Sequence, residues 1–163
     1  LVKKEHPDAV TVFLTPCTAK RKEAMQNPNI DFVMNYKELG AWFIALNVQL
    51  TECGEIEFKN EASAEGRNYP VTGGVANAVQ KLLPEHIPAY PVIINGLNKE
   101  SIRDLKKYAK NGVCELGNLI EVMTCQGGCL GGNGTVNPYK HAIKQLSQYV
   151  NSSKPEEELL NQD

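Results

Sequence analysis

Apolar residues gather in four short runs, and the stretches that separate them carry a helical period. Val10-Thr11-Val12-Phe13-Leu14, extending back to Ala9, and Leu119-Ile120-Glu121-Val122-Met123 read as buried strands. Residues 32–34 and Pro91-Val92-Ile93-Ile94-Asn95 read as two more, the latter closed by Gly96. A short helix is expected over 19–25, because Asn27-Pro28-Asn29 follows and proline cannot continue it. A second is expected over about 36–50, where Leu39, Phe43, Leu46 and Leu50 recur on one face. Thr72-Gly73-Gly74 opens a third, stopped by Pro84, and Asn98 caps a fourth that carries Ile102, Leu105 and Ala109 and ends at Asn111-Gly112. Asn137-Pro138 begins the last, which runs to about residue 150 and turns Ala142, Ile143 and Leu146 inward.

Strands alternating with helices predict an α/β fold: an open, mainly parallel four-stranded sheet with helices on both faces. Over residues 51–70 the pattern is lost. Glu55, Glu57, Lys59 and Glu61 alternate there with other residues, which reads as a long surface excursion, and such loops are often functional. Residues 151–163, with Asn151-Ser152-Ser153 and the glutamates at 156–158, read as a polar, mobile tail behind one domain over 1–150.

Composition narrows the function classes. With 163 residues, 42% of them hydrophobic, the chain can bury one sizeable core, and a net charge of −2 gives no reason to expect a nucleic acid or an anionic membrane as partner. No apolar run approaches the ~20 residues a membrane span needs, and no signal peptide is evident. The start at Leu1 without a methionine reads as an excised fragment. Five cysteines are an odd number without the spacing of a small disulfide framework, so free or metal-bound thiols in a reducing compartment, the cytoplasm, are expected.

Three of those cysteines carry the chemistry. Cys17 follows the first strand in Thr15-Pro16-Cys17-Thr18-Ala19-Lys20, with Glu23 just beyond; Cys125 and Cys129 follow the last in Cys125-Gln126-Gly127-Gly128-Cys129-Leu130-Gly131-Gly132. Ligands collect at the carboxyl ends of strands in open parallel sheets, so two loops far apart in sequence can serve one site. Cys17 stands where a helix N-terminus stabilises a thiolate, Lys20 lies one turn on, and Glu23 shares its face. Residues 127–134 hold five glycines, which permit positive φ and let backbone N–H groups approach a bound anion. Thiolates around such backbone suggest an iron–sulfur site, against the alternatives of a flexible turn with incidental cysteines and a buried Cys17 beside a solvated ion pair. Zinc is the competing metal, although neither motif has the local Cys-x2-Cys spacing of its usual sites. Cys53 and Cys114 read as free thiols, and His6, His86 and His141 as surface or capping residues. Thr72-Gly73-Gly74 suits either an anion at a helix start or tight helix–sheet packing.

Together these residues resemble the C-terminal part of the iron-only hydrogenase large subunit. That family's second and third cysteine signatures read Met-Pro-Cys-x-x-Lys-x-x-Glu and Met-x-Cys-Pro-Gly-Gly-Cys-x-x-Gly-Gly-Gly. Here they stand as Thr15-Pro16-Cys17-Thr18-Ala19-Lys20-Arg21-Lys22-Glu23 and as Met123-Thr124-Cys125-Gln126-Gly127-Gly128-Cys129-Leu130-Gly131-Gly132-Asn133-Gly134. Asp31-Phe32-Val33-Met34, Thr72-Gly73-Gly74-Val75 and Asn95-Gly96-Leu97 also fit, in the right order. The resemblance implies one lobe of a two-lobed active-site domain, whose six-iron centre joins a four-iron (4Fe-4S) cubane to a di-iron unit bearing carbonyl and cyanide. It implies Cys17 and Cys125 as cubane ligands and Cys129 as the thiolate bridging to the di-iron unit. Lys20 would bond a cyanide with Glu23 as its partner, Met123 would pack against the di-iron ligands, and Tyr69 takes the place of a phenylalanine near the gas-binding side.

The implied activity is hydrogen oxidation and proton reduction, with molecular hydrogen as substrate and a ferredoxin-type electron carrier as partner. The family's Cys-Cys-Pro loop, which supplies the fourth cubane ligand, is expected upstream of Leu1 in a missing N-terminal lobe, so the isolated fragment is expected to be inactive. Thr15 replaces a methionine, Gln126 a proline, and Asn133 breaks the triple glycine. These departures resemble the sensory branch, whose members report hydrogen to a signalling domain, more than the fast catalysts. The other reading is a hydrogenase-like iron–sulfur protein without hydrogen chemistry.

Overall fold

The computed structural model describes residues 1–56 and 62–153. Glu57, Lys59 and Glu61 of the expected surface excursion, and most of the expected tail, lie outside them. The chain divides into two compact units. The first comprises residues 1–56 and 132–137, and the second residues 57–131 and 138–163.

In the first unit, helix α1 (Val2–Glu5) precedes strand β1 (Val12–Leu14), helix α2 (Thr18–Met25), strand β2 (Phe32–Met34) and helix α3 (Tyr36–Ala45). β1 and β2 pair in parallel, Val12 opposite Phe32 and Leu14 opposite Met34. α3 starts sharply because Asn35 and Glu38 form a capping box: Asn35 Oδ1 accepts from the Glu38 N–H at 2.9 Å, and Glu38 Oε2 accepts from the Asn35 N–H at 2.9 Å. It ends at Ala45, five residues before the expected end. Asn47 adopts a left-handed φ of 56° and turns the chain into a short 3-10 turn at Leu50–Glu52, leaving Leu46 and Leu50 exposed.

In the second unit, helix α4 (Ala64–Asn68) is followed by helix α5 (Gly74–Leu82), strand β3 (Pro91–Asn95), helix α6 (Lys99–Asn111), strand β4 (Leu119–Met123), a 3-10 turn at Gly128–Gly131 and helix α7 (Tyr139–Asn151). β3 and β4 pair in parallel from Pro91–Leu119 to Asn95–Met123. The cap and stop expected for α6 are both present: Asn98 Oδ1 accepts from Glu100 and Ser101, and Gly112 is left-handed at φ 69°. α7 begins at Tyr139 with Pro138 in the cap position, one residue later than expected. α4 breaks the stretch read as patternless; its signal is Ser63, whose Oγ accepts from the Gly66 N–H at 3.1 Å.

The parallel α/β architecture is as expected, but the four strands form two two-stranded sheets rather than one sheet of four. The strands read as buried are therefore thinly covered. Val12, Phe13 and Leu14 are 45, 37 and 40% exposed, because a two-stranded ladder of three residues offers little surface for helices to close over. Ala24, Ala76 and Ala78 are the buried apolar residues among those described, and no large side chain is wholly enclosed. None of the helices among the described residues is long and apolar enough to cross a membrane.

Polar contacts reinforce the first unit. Asp31 accepts from Lys3 Nζ at 2.8 Å and from the Thr11 N–H and hydroxyl at 2.7 and 2.9 Å. Lys3 above all, then Thr11, lowers its pKa from 3.8 to about 2. A folded-state pKa below the unfolded value adds stability that is present above 3.8 and lost as pH falls through about 2. Thermal melts of Asp31→Asn and wild type should differ at neutral pH and converge over that interval. A gap that persists unchanged at the acid end would contradict the assignment.

Candidate cluster-binding site

Both cysteine motifs leave the carboxyl end of a parallel strand, as predicted. In the first unit Cys17 is the N-cap of α2, in extended conformation, so its thiol stands at the positive end of that helix. Thr15 behind it is 5% exposed; its N–H donates to Met34 O at 2.9 Å and its Oγ1 accepts from the Cys17 N–H at 3.2 Å. Cys17, Thr15, Pro16, Arg21, Asn35 and Gly134 line a small hollow. Arg21 donates to Glu38 at 2.6 Å, and the Glu38 pKa is lowered first by the Asn35 N–H and then by that guanidinium. Lys20 pairs with Glu23 at 2.6 Å as expected, and both line a hollow with Phe13, Ala24, Asn27 and Ile30.

Gly134, from the segment that follows Cys129, belongs to this first unit. Its N–H donates to Pro16 O at 3.0 Å and its carbonyl accepts from the Tyr36 N–H at 3.1 Å. A side chain at Gly134 would place Cβ 2.7 Å from Asn35 Cβ, so only glycine lets the segment lie this close to the residue before Cys17.

In the second unit Met123 ends β4, opposite Asn95. Cys125 and Cys129 then bracket a tight loop. Gly127 and Gly128 are left-handed at φ 84° and 70°. A Cβ on Gly127 would strike the Tyr139 ring, and one on Gly128 would lie 2.5 Å from Pro70 O. Three of the loop's N–H groups go to protein acceptors: Gly127 to Asn95 Oδ1 at 2.6 Å, Gly128 to Cys125 O at 3.1 Å and Cys129 to Pro70 O at 2.8 Å. The glycines here serve close packing. Tyr69, half exposed at the end of α4, directly precedes the Pro70 carbonyl that holds Cys129.

The two readings of Thr72-Gly73-Gly74 both find an answer. The N-terminus of α5 does hold an anion, but it is Glu121 from β4, which accepts from Gly73 and Ala76 at 2.6 and 2.8 Å. Gly74 is needed for packing, since a Cβ there would collide with Asn68 O. Sequence alone assigns no role to Glu121, Asn95 or Pro70. The available signal was a carboxylate in an apolar strand and an asparagine at a strand's end.

None of the five cysteines is in a disulfide. Cys53 is exposed, and His6, His86 and His141 are exposed as well. Within each unit the described residues hold no cluster of three His, Cys, Asp or Glu side chains arranged around a metal ion. The donor set nevertheless suits iron and sulfide: half-buried thiols, two of them in one hydrogen-bonded loop.

Comparison with known proteins defines the class first. A solved structure titled "Stepwise [FeFe]-hydrogenase H-cluster assembly revealed in the structure of HydA(deltaEFG)" superimposes with a TM-score of 0.54 at 19% identity, covering 91% of this chain and 55% of the other. The fold is thus that of the iron–iron hydrogenase domain. The family model described as "Iron only hydrogenase large subunit, C-terminal domain" matches residues 1–133, and the chain belongs to that family. A curated relative, the NADP-reducing hydrogenase subunit HndD of Solidesulfovibrio fructosivorans, is 27% identical over 172 residues. That match takes in 84% of this chain but 29% of the relative, so the chain spans under a third of the relative's length.

The loop geometry has a measurable consequence. Gly128→Ala meets both a left-handed φ and the Pro70 carbonyl, whereas Gly112 shares the φ with nothing within 4 Å of its Cβ position. Gly112→Ala should cost about 1 kcal/mol and Gly128→Ala about 2–4 kcal/mol in denaturant unfolding. Equal costs would mean the loop does not rest on residue 70.

Proposed function

We propose that this chain supplies Cys17, Cys125 and Cys129 as thiolate ligands to the hydrogen-activating centre of an iron-only hydrogenase-type protein. Cys17 and Cys125 hold the four-iron cubane, and Cys129 carries the link to the di-iron unit. The observation that supports this most is connectivity. Five residues after Cys129, the chain is hydrogen-bonded through Gly134 to Pro16, the residue before Cys17. The segment that follows Cys129 thus runs directly into the unit that carries Cys17, and the family match spans all three cysteines.

Bound there, the cluster would supply the redox chemistry. The chain's own groups do the rest: α2 stabilises the Cys17 thiolate, Lys20 offers a cation held by Glu23, and Met123 and Tyr69 furnish apolar contact beside the ligands. Three thiolates leave a cubane one ligand short. In this reading residues 1–150 are the second lobe of the two-lobed domain, and a cysteine of the other lobe completes the site in the cytoplasm. A ferredoxin-type domain or carrier takes the electrons.

The departures at Thr15, Gln126 and Asn133 favour a sensory or low-turnover member. Thr15 bears on this most, since its side chain is turned to the Cys17 N–H and replaces a long apolar group with a short polar one. Iron and sulfide content of the intact, matured protein should fall on Cys17→Ser, Cys125→Ser or Cys129→Ser and stay at the wild-type level on Cys53→Ser or Cys114→Ser. Uniform retention of iron would remove the ligand assignment. Hydrogen-dependent dye reduction should be slow and accompanied by a change in a partner domain's activity. Bulk-enzyme turnover would defeat the sensory reading, and a loaded cluster with no hydrogen response would leave an iron–sulfur protein without hydrogen chemistry.

A further inference from the structure

We propose that Asn95 is a positioning residue for the Cys125–Cys129 loop, holding both cysteines in the geometry a cluster requires. The inference rests on reading Cys125 and Cys129 as cluster ligands.

Asn95 is the last residue of β3, and its backbone is committed to the ladder opposite Met123. Its side chain is thereby aimed from a fixed point. Oδ1 accepts two bonds, from the Gly127 N–H at 2.6 Å and from Thr72 Oγ1 at 3.0 Å. The Gly127 N–H can only donate, so the amide orientation is determined by its partner. One oxygen thus joins the turn before α5 to the middle of the cysteine loop. A second tie, Cys129 N–H to Pro70 O, reaches the same turn from the other side of Gly128. The turn is itself anchored by Glu121, which is 8% exposed and accepts from Gly73 and Ala76.

The two ties differ in kind. The Pro70 bond is backbone to backbone and survives any side-chain change, whereas the Gly127 bond depends wholly on the residue at 95. Gly127 and Gly128 are both left-handed, a conformation that glycine does not hold by itself. An acceptor supplied from a strand end is what selects it.

The test is made on the intact protein prepared without its cluster. Hydrogen exchange across the 124–131 peptide and alkylation of Cys125 and Cys129 are compared with alkylation of Cys53 in the same molecule. Asn95→Leu removes the acceptor and should raise both rates by roughly three- to tenfold, with Cys53 unchanged. Asn95→Asp keeps the acceptor and should stay within about twofold of wild type. If Asn95→Leu does not accumulate as folded protein, Asn95→Ser takes its place; its hydroxyl is too short to reach Gly127, and the same rise is expected.

Unchanged rates on loss of the acceptor, or an equal rise in Asn95→Asp, would overturn the proposal. In the loaded protein, Asn95→Asp should also shift the cluster potential to more negative values, because it places a carboxylate beside the ligands. An unmoved potential would place Asn95 away from the cluster. Exchange and alkylation need no iron, so a loop that loosens in a protein that never binds iron would refute the ligand reading and leave the positioning role standing.

Discussion

The Cys125–Cys129 loop closes because Gly128 has no side chain. Any Cβ there would sit against the Pro70 carbonyl, and that carbonyl is the acceptor that holds the Cys129 N–H. Around this contact the second unit is arranged in sequence. β4 delivers the loop, β3 delivers Asn95 to its centre, and Glu121 pins the turn beneath it. The Tyr139 ring fills the space that a side chain on Gly127 would need. The loop is held by mutual exclusion of volume and three satisfied N–H groups, with little of the freedom its two glycines suggest at first sight.

The first unit uses the same device more sparingly. Gly134 lies against Asn35 and Pro16, and Thr15 is buried against the Cys17 amide. Both sites are built where parallel strands end, which is where α/β folds gather their chemistry. Both also rest on a thin apolar base. Two-stranded sheets with exposed valine, leucine and phenylalanine derive much of their local order from caps, turns and buried polar contacts.

Much of this was legible in the residues. Asn98 and Gly112 bound α6 where their chemistry says they should, and the strands at Phe32–Met34 and Pro91–Asn95 match their apolar runs. Local signals of this kind depend on neighbours in sequence and survive folding. The failures have physical causes as well. The apolar spacing of Leu46 and Leu50 predicts a longer α3, while Asn47 reverses the backbone. One sheet of four was expected because apolar runs report burial without saying which strand lies beside which. At the site, the cysteines and the Lys20–Glu23 pair stood out by residue type. Asn95, Glu121 and Pro70 did not, because their roles come from partners 32, 48 and 59 residues away.

The most direct measurement is the infrared spectrum of the intact protein after maturation. Carbonyl and cyanide bands should be present in wild type and in Cys53→Ser, and absent in Cys129→Ser, whose thiolate carries the link to the di-iron unit. A matured wild-type protein without those bands, or a Cys129→Ser variant that keeps them unaltered, would contradict the reading of this chain as the thiolate-bearing part of a hydrogen-activating site.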